Sequence, residues 1–94
     1  MLFAINCRYK PGIEAQHAAL EVAFGDHMRQ PLLHIHLAGV LCDSGGARVG
    51  FMALMEADDL QVVQAFIQSS PYTEAGLYAS VQVDTLNLEV GRLF

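Results

Sequence analysis

The sequence predicts a single α+β domain in which two helices cover one face of a four-stranded antiparallel sheet. Segments with a period of two and segments with a helical period follow one another in the order β-α-β-β-α-β. Proline and glycine interrupt the pattern where one segment gives way to the next. A chain of 94 residues can bury one core but not two, so we predict one domain over residues 1–94.

The first half of the chain contains one strand and one helix. Residues 2–9 predict a strand because alternate positions are apolar, and Pro11 ends it. Residues 13–28 predict a helix because apolar side chains recur at steps of three and four. Pro31 requires that helix to end by about residue 30.

The second half of the chain contains three strands and one helix, in the order β-β-α-β. Residues 33–42 and 48–57 are predicted as strands two and three, joined by a glycine-containing hairpin turn. An aspartate N-cap within 57–60 starts the second helix, and Pro71 stops it. Residues 79–87 are predicted as strand four.

Short connections and right-handed crossovers make this order a ferredoxin-like βαββαβ sandwich with strand order 4-1-3-2. Alternation assigns one set of residues to the helix-covered face: Phe3, Ile5, Cys7, Leu33, Ile35, Leu37, Val81 and Val83. It assigns a mixed set to the open face: Ala4, Asn6, Arg8, His34, His36, Ala38, Gln82 and Asp84. Such a face suits contact with a second copy, so we predict a homodimer that leaves a polar-lined cavity between the two sheets, where a small-molecule ligand could bind. The alternative is an open, solvated face.

Composition excludes several classes of partner. The 53% hydrophobic content favours an oligomer, and a net charge of −5 with only five Lys and Arg argues against nucleic acid and anionic membranes. No apolar run reaches the roughly 20 residues that span a bilayer, and no signal peptide is evident, so we predict a cytoplasmic protein with reduced cysteines. No phosphate loop, dinucleotide fingerprint, zinc spacing or haem motif is present, and we predict no cofactor.

The histidines are the candidate catalytic groups. His17 and His27 share one helical stripe but stand about 15 Å apart, so each would act alone, as a general base or as a histidine bonded to backbone. His34 and His36 point the same way on a strand, about 6.6 Å apart, and would line the dimer cavity or contribute to a metal site with a third ligand. Arg8 is a candidate anion clamp, unless it pairs with Asp84.

One stretch suggests a family. Ser70-Pro71-Tyr72-x-x-Ala75-Gly76-Leu77 resembles the Asp-Pro-Tyr-x-x-Ala-Gly-Leu signature of the YCII-related (YciI-like) proteins, and Ala38-Gly39 and the strand from Gly50 resemble two further motifs of theirs. The resemblance implies a dimeric α+β barrel and a dyad of a first-helix histidine with the signature aspartate. Here Ser70 occupies the aspartate position, and an ungapped count places Phe24 near the histidine position.

Two functions are compatible with these residues. The first is a cofactor-independent enzyme of lyase or isomerase type that transfers protons on a small organic molecule. Its predicted catalytic residues are His27, His36, His17, Ser70 and Tyr72, and its predicted substrate-binding residues are Arg8, His34 and Asp84. The second is a binding or accessory domain that has lost the dyad.

Overall fold

The computed structural model describes residues 1–92, so the last two residues of the predicted domain lie outside the described residues. Within them the chain forms four strands and four helical segments. These are β1 Leu2–Tyr9, α1 Glu14–Ala19, α2 Glu21–Met28, β2 His34–Cys42, β3 Arg48–Glu56, α3 Leu60–Gln68, α4 Pro71–Glu74 and β4 Tyr78–Thr85.

The sheet confirms the predicted fold. Its strand order is β2-β3-β1-β4, which is the predicted 4-1-3-2 order counted from the other edge, and every described pairing is antiparallel. The helices lie on one face. The core between them and the sheet is built from the central strands and α3, with the buried members Phe3, Ile5, Cys7, Phe51, Ala53, Met55, Val63 and Phe66.

The predicted first helix is interrupted. Leu20 separates α1 from α2, with φ −103° and ψ 4°, although its N–H still bonds to the carbonyl of Gln16. The second predicted helix begins as expected, because the Asp59 carboxylate accepts the Val62 N–H at 3.2 Å.

The signature stretch forms a one-turn helix that the sequence pattern did not predict. Pro71 starts α4 at the first helical position, where its missing N–H costs nothing. Gly76 ends the turn with φ +72°, a conformation that favours glycine. This compact turn directs the ring of Tyr72 and the side chain of Leu77 into the interior, where 2% of the surface of Tyr72 and 1% of that of Leu77 are exposed.

Strand β2 departs from the predicted alternation. A β-bulge between Ile35 and Leu37 inserts His36 as an extra residue. Beyond it Leu37 lies opposite Leu54 on the open face, and Ala38 lies opposite Ala53 on the helix-covered face. The predicted faces of Leu37 and Ala38 are therefore wrong, because one extra residue reverses the side on which all later residues point.

The two thiols occupy different environments. Cys7 is buried in the core and Cys42 is exposed at the end of β2, and neither forms a disulfide. Burial raises the pKa of the Cys7 thiol to about 11, against a smaller opposing contribution from Tyr78. None of the helices in the described part of the chain is long and apolar enough to cross a membrane.

Gly50 allows β1 and β3 to approach closely. A Cβ placed there would collide with the backbone carbonyl oxygen of Cys7, so we expect Gly50→Ala to lower the free energy of unfolding by about 2 kcal/mol or more. Gly25→Ala is the contrasting control: it lies inside α2 and meets only the flexible end of Arg29, so it should stabilise by up to about 1 kcal/mol. Urea unfolding of both variants measures the difference, and a neutral Gly50→Ala would contradict the close approach.

Candidate functional site

The end of β1, the helix α1 and the one-turn helix α4 bring three aromatic side chains together. The His17 ring stacks on Tyr72 with centroids 4.7 Å apart, and its Nε2 lies 3.2 Å from the Tyr9 hydroxyl. Tyr9 in turn meets Tyr72 edge-on at 6.3 Å and stacks on Tyr78 at 5.8 Å. The result is a histidine held in place by rings on two sides.

The surroundings of His17 favour the neutral form of its imidazole. Only 7% of its surface is exposed, and burial is the main reason that its pKa falls below the ordinary histidine value. The positive charge of Arg48 lowers the pKa further, while Glu21 acts in the opposite direction. Burial also raises the pKa of Tyr9 to about 12, so its hydroxyl keeps its proton. A neutral imidazole beside a protonated phenol can accept a proton from a bound molecule.

Arg48 and Glu21 stand beside this cluster. Their closest approach is 3.8 Å between Nη1 and Oε1, and more than half of each side chain is exposed, at 54% and 64%. An exposed pair at this distance contributes about 0–1 kcal/mol, so Arg48 can exchange Glu21 for another anion at little cost.

These residues border a groove on the helix-covered side of the sheet. It has a volume of about 580 Å³, and its lining includes Tyr9, His17 and Arg48 together with Lys10 and Glu14. That volume is within the range of small-molecule sites, which hold a few convergent polar groups among apolar walls. The sequence placed the ligand cavity on the opposite, open face of the sheet.

Ser70, at the aspartate position that the resemblance implies, and Phe24, near the implied histidine position, lie together and are uncharged. Ser70 and Phe24 line the same small void of about 10 Å³, together with Cys7 and Tyr78. The Ser70 Oγ is buried and makes no hydrogen bond of ordinary geometry to the described residues. Burial raises the pKa of the neighbouring Tyr78 hydroxyl, and Ser70 lowers that pKa by a smaller amount. Phe24 stacks on Tyr72 at 4.1 Å. Neither position supplies a titratable group.

His27 has a different environment from His17. Its Nε2–H donates to the carbonyl oxygen of Phe66 at 2.8 Å, and its Nδ1 accepts from the Gln30 side-chain amide at 3.0 Å. Its ring also stacks on Phe66 at 4.7 Å. Because both nitrogens are engaged inside the protein, this geometry favours the backbone-bonded role over the predicted role as a base.

His34 and His36 lie on the open face, as predicted. Their ring centroids are 4.4 Å apart, and His36 Nε2 donates to the Glu56 carboxylate at 3.3 Å. The ammonium of Met1, and secondarily His36, hold the pKa of Glu56 below its usual range. Within residues 1–92, no group of three or more His, Cys, Asp or Glu side chains is arranged to hold a metal ion.

Arg8 and Asp84 also lie on the open face, on neighbouring strands. The register places Arg8 opposite Ser80 and Asp84 opposite Ala4, so the two are not direct cross-strand partners. Asp84 instead accepts from the Gln82 amide at 3.1 Å. The predicted residues therefore divide into two groups. His17, His27, Tyr72 and Ser70 lie on the helix side, and Arg8, His34, His36 and Asp84 lie on the open face.

Sequence reasoning missed three residues of the groove, namely Tyr9, Arg48 and Glu21. Tyr9 falls on the same face of β1 as Cys7, and alternation reports nothing about its neighbours beyond that face. Arg48 enters the groove because the hairpin returns β3 beside the helices, and no local pattern reports that contact.

Comparisons with known proteins agree with this fold. The model of the YCII-related domain matches residues 1–87. The structure of 5-chloro-2-hydroxyhydroquinone dehydrochlorinase from Burkholderia phenoliruptrix AC1100, in complex with 2,5-dihydroxybenzoquinone, is similar at 25% identity and a TM-score of 0.86, over 93% of this chain and 94% of that one.

A second structure, FFRP-DM1, reaches 14% identity and a TM-score of 0.49 over 89% of this chain and 96% of that one, a likeness too weak to carry any argument. No curated protein matches the chain. Since the domain match covers all four strands and all helical segments, the chain belongs to the YCII-related family.

Proposed function

We propose that the protein is a cofactor-independent enzyme that transfers a proton on a small hydroxylated ring bound in the groove, with His17 as the general base. The observation that carries the proposal is the position of His17: a buried, neutral imidazole that lines the groove within reach of Arg48. His17 was one of three histidines that the sequence offered as bases.

The walls of the groove suit a planar ring. Tyr9 and the His17 ring provide aromatic surface, and Pro11 and Ile13 add apolar surface. The similar dehydrochlorinase acts on a hydroxylated, chlorinated ring and was captured with a quinone. Its likeness at 25% identity supports, for this chain, a ligand of the same class.

The proposed chemistry uses three groups. His17 accepts the proton of a ring hydroxyl, and the electron pair left on the oxygen delocalises into the ring. Arg48 stabilises the resulting oxyanion through a charge-assisted hydrogen bond. The ring anion then takes up a proton at a ring carbon, which gives the keto tautomer. Where that carbon carries chlorine, loss of a second hydroxyl proton drives out the chloride, so the carbon keeps its new hydrogen, the ring becomes a quinone and the net loss is HCl. Tyr9 orients His17 through its hydroxyl.

A second candidate is a binding domain without turnover. The specific observation in its favour is that Ser70 and Phe24, two uncharged residues, line one small void. The family resemblance implies an aspartate at the first position and a histidine near the second. An aspartate introduced at Ser70 alone would be a buried carboxylate beside a phenylalanine, so that single change would not recreate a dyad. In a binding domain, the groove and Arg48 would still hold the ligand, and His17 would form a hydrogen bond to it without accepting a proton.

The cytoplasmic location stays a prediction from the sequence. We further propose that the open face forms the contact of a homodimer. The open face has an apolar centre made by Met52 and Leu54 on the central strand β3, with the 46% exposed Leu37 beside them. A polar border surrounds it, as in many protein interfaces. A symmetric pair would cover this centre on both copies.

The first prediction concerns the base. His17→Gln should lower kcat for a ring substrate by about 10²–10⁴-fold, because glutamine cannot accept the proton. Chloride release and the visible absorption of the quinone product from 5-chloro-2-hydroxyhydroquinone provide the assay. His34→Gln is the matched control on the open face. Loss of turnover in His34→Gln with full turnover in His17→Gln would overturn the assignment, and ligand binding without turnover in the wild type would favour the binding domain.

The second prediction concerns pH. Since the pKa of His17 is lowered, the base should stay active from neutral pH down past the ordinary histidine value of about 6.5, and kcat/KM should fall only below it. The same sign holds for stability: the unfolded chain takes up the proton first, so stability attributable to His17 is present above pH 6.5 or so and lost as pH falls. An acid limb centred above the ordinary value would contradict the burial of a neutral imidazole.

The third prediction concerns assembly. Leu54→Glu should convert a dimer to a monomer, because two carboxylates would be desolvated at the centre of the contact. Val22→Glu, at a residue of α2 with 79% of its surface exposed, should leave assembly unchanged. Light scattering during size-exclusion chromatography gives the mass, and a Leu54→Glu variant of unchanged dimeric mass would exclude this face as the contact.

A further inference from the structure

A second cavity shares walls with the groove. We call the 580 Å³ groove the outer lobe and this neighbour, of about 390 Å³, the inner lobe. The residues Tyr9, His17, Glu21 and Arg48 border both. The ion pair of Glu21 with Arg48 therefore stands where the two lobes meet.

The lobes differ in chemistry. Among the described residues, the outer lobe has two charged lining residues that the inner lobe lacks, Lys10 and Glu14. The inner lobe runs between α2 and strands β2 and β3, and most of its surface is apolar. Its apolar lining residues include Phe24, Met28, Ala38, Val40, Phe51 and Tyr72, and Arg29 is the one charged residue within the described chain that it does not share with the outer lobe. One of these apolar residues, Val40, is 43% exposed, so the lobe presents apolar surface to whatever enters.

The volumes of the two lobes indicate a ligand larger than one ring. A buried cavity of about 150 Å³ is enough to bind benzene. Each lobe is larger than this, so a single ring placed beside His17 leaves the other lobe unused. A ligand that uses both must carry a group beyond its ring.

We propose that the substrate is an anionic hydroxylated ring with an apolar substituent, the ring lying in the outer lobe against His17 and the substituent in the inner lobe. Arg48 leaves Glu21 to bind the ionised ring oxygen, and the movement opens the passage between the lobes. The weakness of the exposed pair, at 3.8 Å, makes this exchange inexpensive. This inference rests on the proposed function, because it takes the ring site beside His17 as given.

The test compares two probes by isothermal titration calorimetry: 2,5-dihydroxybenzoquinone, whose acidic hydroxyls make it an anion at neutral pH, and its 3-hexyl derivative. The wild-type protein should bind the hexyl derivative at least about tenfold more tightly, since several methylene groups leave water. Equal affinities for the two probes would overturn the inference.

Matched alanine-to-leucine variants separate the lobes. Ala38→Leu fills the inner lobe and should reduce the advantage of the hexyl derivative to about twofold or less, with little effect on the parent ring. Ala47→Leu fills the outer lobe and should weaken both probes together. If Ala38→Leu unfolds at a lower temperature than the wild type, Val40→Phe provides a second way to fill the inner lobe. Equal losses for both probes in an inner-lobe variant would contradict the separate roles.

Glu21→Gln tests the exchange of partners. With no carboxylate competing for Arg48, both probes should bind about threefold more tightly, a gain within the value of one exposed ion pair. An unchanged or weaker affinity would show that Arg48 does not leave Glu21 for the ligand.

Failure here is distinguishable from failure of the proposed function. If the parent ring binds and His17→Gln abolishes turnover, while the hexyl derivative gains nothing, the ring site stands and the inner lobe has no part in recognition. If neither probe binds to the wild type, the ring site itself is wrong.

Discussion

The ring of Tyr72 is the contact on which the groove and the helical layer both depend. It is 2% exposed, and it stacks on His17 of α1 and on Phe24 of α2. Pro71 and Gly76 fix its position by starting and ending a single helical turn. In this chain the signature stretch therefore positions the candidate site through packing. Its tyrosine holds the histidine, whether or not the residue before the proline takes part in chemistry.

The fold could be predicted from sequence because its signals are local. Periodicity locates the strands and helices, and proline, glycine and the Asp59 cap set their ends. The bulge at His36 could not be predicted, since Leu33, Ile35 and Leu37 alternate without a break. Only the hydrogen bonds to β3 reveal that one residue is extra. Pairing between strands, and not the pattern within one strand, decides the register.

The site was predictable only in part. Periodicity places His17 and His27 on the same helical stripe, and it cannot report that His27 meets a backbone carbonyl while His17 meets Tyr9. Arg48 joins the site from a hairpin that is distant in sequence. The resemblance did identify where charge is absent: the structure brings Phe24 and Ser70 to one void, in agreement with the ungapped count.

The bulge in β2 also sets how much room lies beneath α2. With uninterrupted alternation, Leu37 would point toward the helices at the place that Ala38 now occupies. The extra residue exchanges a leucine for an alanine on that side, and the isobutyl group goes to the other face of the sheet. The volume of the cavity thus depends on one inserted residue in a strand, and not on the replacement of one side chain by another. Deletion of one residue near His36 would return the leucine side chain to the helix-covered face, where it would fill part of the cavity.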